Sequence, residues 1–356
     1  MSVSLFLDPI WGGLFGDEEV QNAFSPETTL AHYLAYEVAL TNALCESAII
    51  SNEARDGIVA GCKCFQPDVA GLRAGTAIDG LPIPAFIKQL KAHIGAPHAS
   101  DCHKTSTSQD VMDTALALSL KHVSAIFSKR LTAVIAALKA LNDANAAHAL
   151  MGRTRMQAAL PITATDRILT WIEPLKRHQI RLERAATQVA ILQMGGPVGT
   201  NSAQAAHGDV IVSQMAQELG LGVPDRSWHT QRDGLAEFAG VLSMISGNLG
   251  KIGTDIALMA QQGIDEVKLR GGGSSSAMPH KQNPIKAELL VTLARYNAAQ
   301  VSVMHGALVH EQERSGASWA VEWMVLPGMC MTTGCGLATA LELFQQIEWI
   351  GTSQSD

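Results

Sequence analysis

Three polar segments interrupt an otherwise apolar chain, and each gathers groups that bind or protonate anions. The first is His103-Lys104-Thr105-Ser106-Thr107-Ser108-Gln109-Asp110. Thr107-x-x-Asp110 has the spacing of a capping box, and a helix start with free N–H groups and several hydroxyls is a ready carboxylate site. A plain N-cap is the bland reading. The second, Gly152-Arg153-Thr154-Arg155-Met156-Gln157-Ala158-Ala159-Leu160-Pro161, sets two arginines and a glutamine among apolar residues. A solvated surface turn competes there with a carboxylate clamp. The third is Gly271-Gly272-Gly273-Ser274-Ser275-Ser276-Ala277-Met278-Pro279-His280-Lys281-Gln282-Asn283-Pro284. Its first half reads as a flexible linker. Its second half holds His280, Lys281 and Asn283 between two prolines ahead of a helix. No Gly-Lys-Ser/Thr follows, which excludes a phosphate loop. A flexible loop joined to a rigid cation-and-amide platform suits a lid that closes on an anion.

Long helices must position these segments. No Gly or Pro occurs from Ala99 to Met151, and Leu116, Leu120, Val123, Phe127, Leu131, Val134, Leu138 and Leu141 recur at steps of 3 or 4. That is one face of a helix. Run from Val111 to Met151, it would be roughly 60 Å long and would need partners to survive in water. Leu175–Met194 and Ile285–His305 are further Gly- and Pro-free helical stretches. Leu235–Gln262 reads as helical despite its glycines, and Gly247, Gly250 and Gly253 form a stripe where another backbone would come close. Alternating strand patterns are scarce. The expected fold is all-α, a long antiparallel helix bundle (111–356) after a smaller helical N-terminal domain (1–110).

The chain has 356 residues, 47% apolar and 17% charged, the latter below the usual ~25%. Few charges imply much buried surface, inside the chain or against other subunits. With 26 Lys+Arg against 33 Asp+Glu, the net charge of -7 argues against a nucleic-acid partner. No signal peptide is read at the start. Uncharged Trp323–Leu341, with Pro327 inside it, reads as a buried bundle helix with a break rather than a membrane span. Cys62-x-Cys64 lacks a second pair at zinc-ligand spacing, so reduced cytosolic thiols are expected and a cytoplasmic location follows. No His cluster or HExxH suggests a metal, and no cofactor is expected.

Ser275-Ser276-Ala277-Met278-Pro279-His280-Lys281-Gln282-Asn283-Pro284 matches the S-S-x-M-P-x-K-x-N-P signature of the fumarase/aspartase superfamily, with Ser274 where that family has Gly. The His103 segment resembles its first motif, with Thr105 at a usual Gly, and the Gly152 segment resembles its second. Trp228–Asp233, Ala236–Ala239, His310–Ser315, Glu322-Trp323 and Phe24-Ser25 look like its bacterial carboxymuconate-cycloisomerase branch. The resemblance covers roughly Phe24 to Trp323. Relatives of this kind usually carry a further small C-terminal helical domain.

The resemblance implies an enzyme that closes a lactone. A carboxylate of a linear tricarboxylate diene, already ionised at neutral pH, adds at a carbon β to another carboxylate. The resulting enediolate must be stabilised and protonated on carbon. By motif position, Ser275 is the acid/base, Lys281 its charge partner and Asn283 a holder of the enediolate or a carboxylate. His103, Thr107, Ser108, Thr154, Arg155, Gln157, His280 and Arg314 are implied carboxylate binders. Arg155 stands where amine-eliminating lyases of the superfamily usually place His. A permanently charged Arg binds a carboxylate and shuttles no proton. Alternatives are a C–N lyase of adenylosuccinate type, a cycloisomerase for a sulfo-substituted muconate, or an inert structural relative. The resemblance further implies a homotetramer on a twenty-helix bundle, with the three motifs meeting from three subunits. It implies a small anionic substrate and no membrane partner.

Overall fold

The protein is described by a computed structural model covering residues 4–201, 207–271, 273–274 and 282–352. Ser275, His280 and Lys281 lie outside the described residues. In the N-terminal part, α1 (Gly12–Phe15), α2 (Glu18–Ala23), α3 (Pro26–Glu46), α4 (Asn52–Cys64), α5 (Val69–Asp79) and α6 (Ile83–Ile94) follow one another. One device starts four of them. Asp17, Ser25, Ser51 and Asp68 each take the N-cap and accept a backbone N–H of the first turn.

The long elements are α7 (Ser108–Asn145), the hairpin β1 (Ala149–Thr154) and β2 (Gln157–Thr163), then α8 (Ala164–Val189), α9 (Gly208–Leu219) and α10 (Asp233–Met259). After short strands β3 (Val267–Leu269), β4 (Gly273–Ser274) and β5 (Gln282–Asn283) come α11 (Ile285–Gly306), α12 (Gly316–Gln346) and β6 (Ile347–Ile350). The framework is helical, as expected. The strands pair as three two-stranded antiparallel ladders, β1–β2, β3–β6 and β4–β5, beside one isolated parallel bridge between Ile191 and Gly222.

The stripe on α7 is buried from Leu120 to Leu141, with Leu116 half-buried. Three expectations need correction here. The helix stops at Asn145 rather than Met151, because Asn145 turns its side chain back to accept from Ile350 N–H (3.1 Å), and Ala149–Thr154 pair with β2 instead of coiling on. The second helix starts earlier and ends earlier than Leu175–Met194. Thr163 and Asp166 cap it reciprocally, and Pro174 is accommodated inside it. α12 likewise runs through Pro327 without the expected break, and 72% of its most apolar stretch is buried.

Buried apolar residues form two main clusters. One takes in Tyr33, Tyr36, Leu40, Phe86 and Leu90 together with Val111, Met194 and Met215. The other joins Leu120–Leu141 of α7 to α8, α10, α11 and α12. Inside it a buried polar knot ties three helices. Asn297 donates to Ser246 Oγ (2.8 Å) and Thr333 Oγ1 (3.0 Å) and accepts from Thr332 Oγ1.

The small-residue stripe works at two of its three positions. A Cβ on Gly253 would sit 2.4 Å from the Ala287 carbonyl oxygen, and one on Gly250 would sit 2.5 Å from Ala294 Cβ. Gly247 faces open space. Gly253→Ala should therefore force α10 and α11 apart and cost about 1–3 kcal/mol. Gly247→Ala should be neutral or stabilising by up to ~1 kcal/mol. Denaturation midpoints of the two variants check this, and equal midpoints would disprove the close approach.

These contacts also orient the bundle. Gly253, Gly250 and Ser246 of α10 meet Ala287, Ala294 and Asn297 of α11 in reversed order, so α11 begins where α10 ends. α10 starts beside the first turns of α7, through Arg232 and Asp113. β6, following α12, returns to the far end of α7 at Asn145. The bundle thus has a Thr107 end and an Asn145 end, about 57 Å apart along the 38 residues of α7.

Candidate active site

The Thr107 end is built around Asp110. This fully buried carboxylate accepts Thr107 N–H (3.1 Å) in the expected capping arrangement. It also accepts Gly195 N–H and Gly196 N–H (2.9 Å each) and the Nε2 edge of His229 (2.8 Å). Gly196 adopts φ 69, a conformation that favours glycine, as the loop turns onto the carboxylate. Asp110 therefore locks the 193–199 loop and the 227–232 segment onto the start of α7. Tyr36 Oη meets Ser106 Oγ at 2.8 Å from the α3 side.

Around this lock sit four of the residues expected to bind carboxylates: His103, Thr107, Ser108 and Arg314. His103 takes a left-handed backbone, φ 58, and its Nδ1 lies 2.7 Å from the buried Glu37 carboxylate of α3. Burial works against its charge, but the Glu37 charge and hydrogen bond outweigh it and raise its pKa above 6.5, with Asp110 adding and Lys91 opposing. Arg314 donates Nε–H to Gln109 Oε1 (2.8 Å) and Nη2–H to the Pro197 carbonyl (3.3 Å). Gln109 is buried, and its amide N–H groups go to Asp113 (3.1 Å) and the His229 carbonyl (2.9 Å), which fixes the oxygen toward Arg314.

Beneath this surface is a buried ion triad. Arg232 bonds Asp113 through Nη1 (2.7 Å) and Nη2 (3.0 Å), and Glu322 through Nε (2.9 Å). Trp319 Nε1 donates to Asp113 (3.0 Å), and the Trp228 ring lies 4.7 Å from the guanidinium. His310 is buried against Glu322 and belongs to this structural group.

The other candidates lie at the Asn145 end. Thr154, Arg155 and Gln157 are exposed on the β1–β2 hairpin, with Arg155 (φ 49) and Met156 (φ 67) forming its two-residue tip. Such a tip needs two left-handed residues and normally takes Asn or Gly; Arg and Met cost about 1–2 kcal/mol each. Met156 and Leu160 are both 73% exposed. Arg153 pairs with buried Glu266 (2.6 Å), so the structural arginine of this segment is Arg153. Arg155 has no hydrogen-bond or ion-pair partner among the described residues. The segment is thus an exposed hairpin, in a stretch where the sequence set a solvated surface turn against a carboxylate clamp.

Asn283 is half-buried in β5, opposite Gly273 of β4. This short ladder joins the two ends of the signature segment and places them at the start of α11. One chain therefore gathers His103, Thr107, Ser108 and Arg314 at its Thr107 end, while Thr154, Arg155 and Gln157 on the hairpin and Asn283 in β5 lie toward the Asn145 end. Cys62 is buried and Cys64 exposed, so that pair forms no convergent thiol site. Glu37, Gln109 and the anchoring role of Asp110 escaped the sequence reading. The available signal was a lone acid in the apolar run Leu34-Ala35-Tyr36-Glu37-Val38-Ala39-Leu40.

A family model described as lyase matches residues 17–301. The 3-carboxy-cis,cis-muconate cycloisomerase of Pseudomonas aeruginosa is 34% identical over 331 residues, covering 91% of this chain and 72% of that protein. The crystal structure of the 3-carboxy-cis,cis-muconate lactonizing enzyme from Pseudomonas putida superposes with a TM-score of 0.90 at 31% identity, over 96% of this chain and 77% of that one. Fumarate lyase from Mesorhizobium sp. BNC1 superposes with a TM-score of 0.87 at 32% identity, over 95% and 76%. On sequence and on backbone alike, the chain belongs to the lyase family of the fumarase/aspartase superfamily.

Proposed function

We propose that the chain catalyses cycloisomerisation of 3-carboxy-cis,cis-muconate to a carboxymuconolactone. A substrate carboxylate oxygen attacks the carbon β to a second carboxylate, the electron pair moves into that group as an enediolate, and a proton is delivered to the α-carbon. Ser275 is the proposed donor, with the Lys281 ammonium opposing the charge left on its oxygen. Asn283 is proposed to hold the enediolate or a carboxylate. Thr154, Gln157 and His280, together with His103, Thr107, Ser108 and Arg314, are assigned to the carboxylates.

Arg155 carries this reading. A guanidinium with no partner among the described residues, on a strained, exposed tip, supports carboxylate capture and offers no acid for a departing amine. The separation of the two groups of residues supports assembly of the site from several copies in a homotetramer, the Thr107 end of one chain facing the Asn145 end of another. Exposed Met156 and Leu160 are then covered by a partner.

The test is loss of muconate absorbance on adding enzyme, run beside fumarate-forming C–N lyase substrates. Arg155→Ala should lower kcat/KM for the tricarboxylate by about 10–200-fold, the loss of one charge-assisted bidentate contact of about 1.5–3 kcal/mol. Turnover of an amine adduct in preference to the muconate would overturn the assignment.

A further inference from the structure

We propose that Glu37 is a positioning residue of the site, holding His103 so that its Nε2–H faces a substrate carboxylate. The inference rests on the polycarboxylate reading above for what His103 meets, and on geometry for the rest. Glu37 is wholly buried in α3, yet both carboxylate oxygens are spent on one dipeptide. Oε1 is 2.7 Å from His103 Nδ1, and Oε2 is 4.0 Å from Cys102 Sγ. No Lys or Arg bonds it among the described residues.

A carboxylate taken out of water costs several kcal/mol unless a good partner compensates. Here the partner is an imidazole, so the pair is most stable with the proton on His103. The pairing also fixes the ring: with Nδ1 turned inward, Nε2 is the free edge. That nitrogen has no partner among the described residues, and the side chain retains 14% exposure. The left-handed backbone at His103 is a further sign that the ring's direction is imposed. Arg314, attached to the same helix start through Gln109, supplies a second cation.

Every neighbouring element contributes to the balance. α3 brings Glu37 and Tyr36, α4 brings Cys62, and α6 brings Lys91. Cys102 and Lys104 flank the histidine, Lys104 being held by Asp101 at 2.9 Å, and α7 brings Asp110. Of these, Glu37 alone bonds the ring. Without it, burial would dominate and drive the imidazole neutral. Affinity for the anionic substrate should thus persist at pH 6.5 and fall as pH rises through the elevated His103 midpoint.

Nuclear magnetic resonance of labelled histidine, with His103 assigned by loss of its signal in His103→Gln, tests this in the intact protein. Wild-type His103 should titrate above 6.5, and Glu37→Gln should move the midpoint acid by on the order of one unit or more. In parallel, KM for the muconate at pH 7 should rise on the order of tenfold with kcat changed far less, and the pH profile of kcat/KM should shift acid with it. Glu37→Asp, which keeps the charge, should recover part of both. A wild-type midpoint at or below 6.5, or an active Glu37→Gln enzyme with an unmoved profile, overturns the proposal. Wild-type protein without muconate turnover would strike the substrate reading instead, and the titration arm does not depend on it.

Discussion

Arg232→Ala is expected to destabilise the fold by about 3–5 kcal/mol, the cost of breaking a buried charge cluster by removing one partner. Arg232 is only 1% exposed and is shared between Asp113 of α7 and Glu322 of α12 while itself opening α10. Its removal leaves two buried carboxylates facing each other with no cation between them. Burial already raises the pKa of Glu322 despite the arginine, and without Arg232 that effect stands unopposed.

The sign of the pH dependence follows. A carboxyl whose folded-state pKa lies above its unfolded value binds more protons in the folded state, so stability falls as pH rises. Arg232→Ala should therefore be more nearly normal at pH 5 than at pH 8 in chemical denaturation. Replacing the whole triad with apolar residues, Asp113→Leu, Arg232→Met and Glu322→Leu, should recover much of the loss, because no buried charge is then left alone. Activity should not return with it. Asp113 also holds Gln109, and Gln109 holds Arg314. An Arg232→Ala protein within 1 kcal/mol of wild type would contradict this account.

Ser275→Ala should reduce turnover by about 10²–10⁴-fold while leaving KM close to its original value, the profile of a lost proton donor. The nucleophile in the proposed reaction is an ionised carboxylate and needs no base, and the other assigned groups bind the substrate's anions. Loss of the donor thus falls on the protonation of carbon. A dead enzyme alone would be weak support, so subunit mixing adds a second readout. Chains carrying Ser275→Ala and chains carrying Arg314→Ala are damaged in different motif segments. Hybrids should regain part of the activity through sites that draw one intact group from each chain. Near-normal turnover of Ser275→Ala removes that residue from the mechanism, and no recovery in verified hybrids argues against shared sites.

The amino-acid sequence by itself determined the helical framework and the identity of the chemical groups. Apolar spacing on α7 and the Gly- and Pro-free stretch that became α11 are local signals, and a ten-residue signature is read without coordinates. The helix end at Asn145 and the hairpin tip at Arg155 and Met156 were not legible. Both depend on partners far along the chain, Ile350 for one and Glu266 for the other through Arg153. Arg153 and Arg155 look equivalent in sequence. Folding gives one of them a buried carboxylate and leaves the other without a partner among the described residues. Only the tertiary structure decided that Glu37 sits behind His103, that Arg232 bridges three helices, and that the binding groups divide between two ends of one long helix. A charge declares its type in the sequence, but which opposite charge it meets is set by how helices pack, and packing joins residues that sequence order keeps apart.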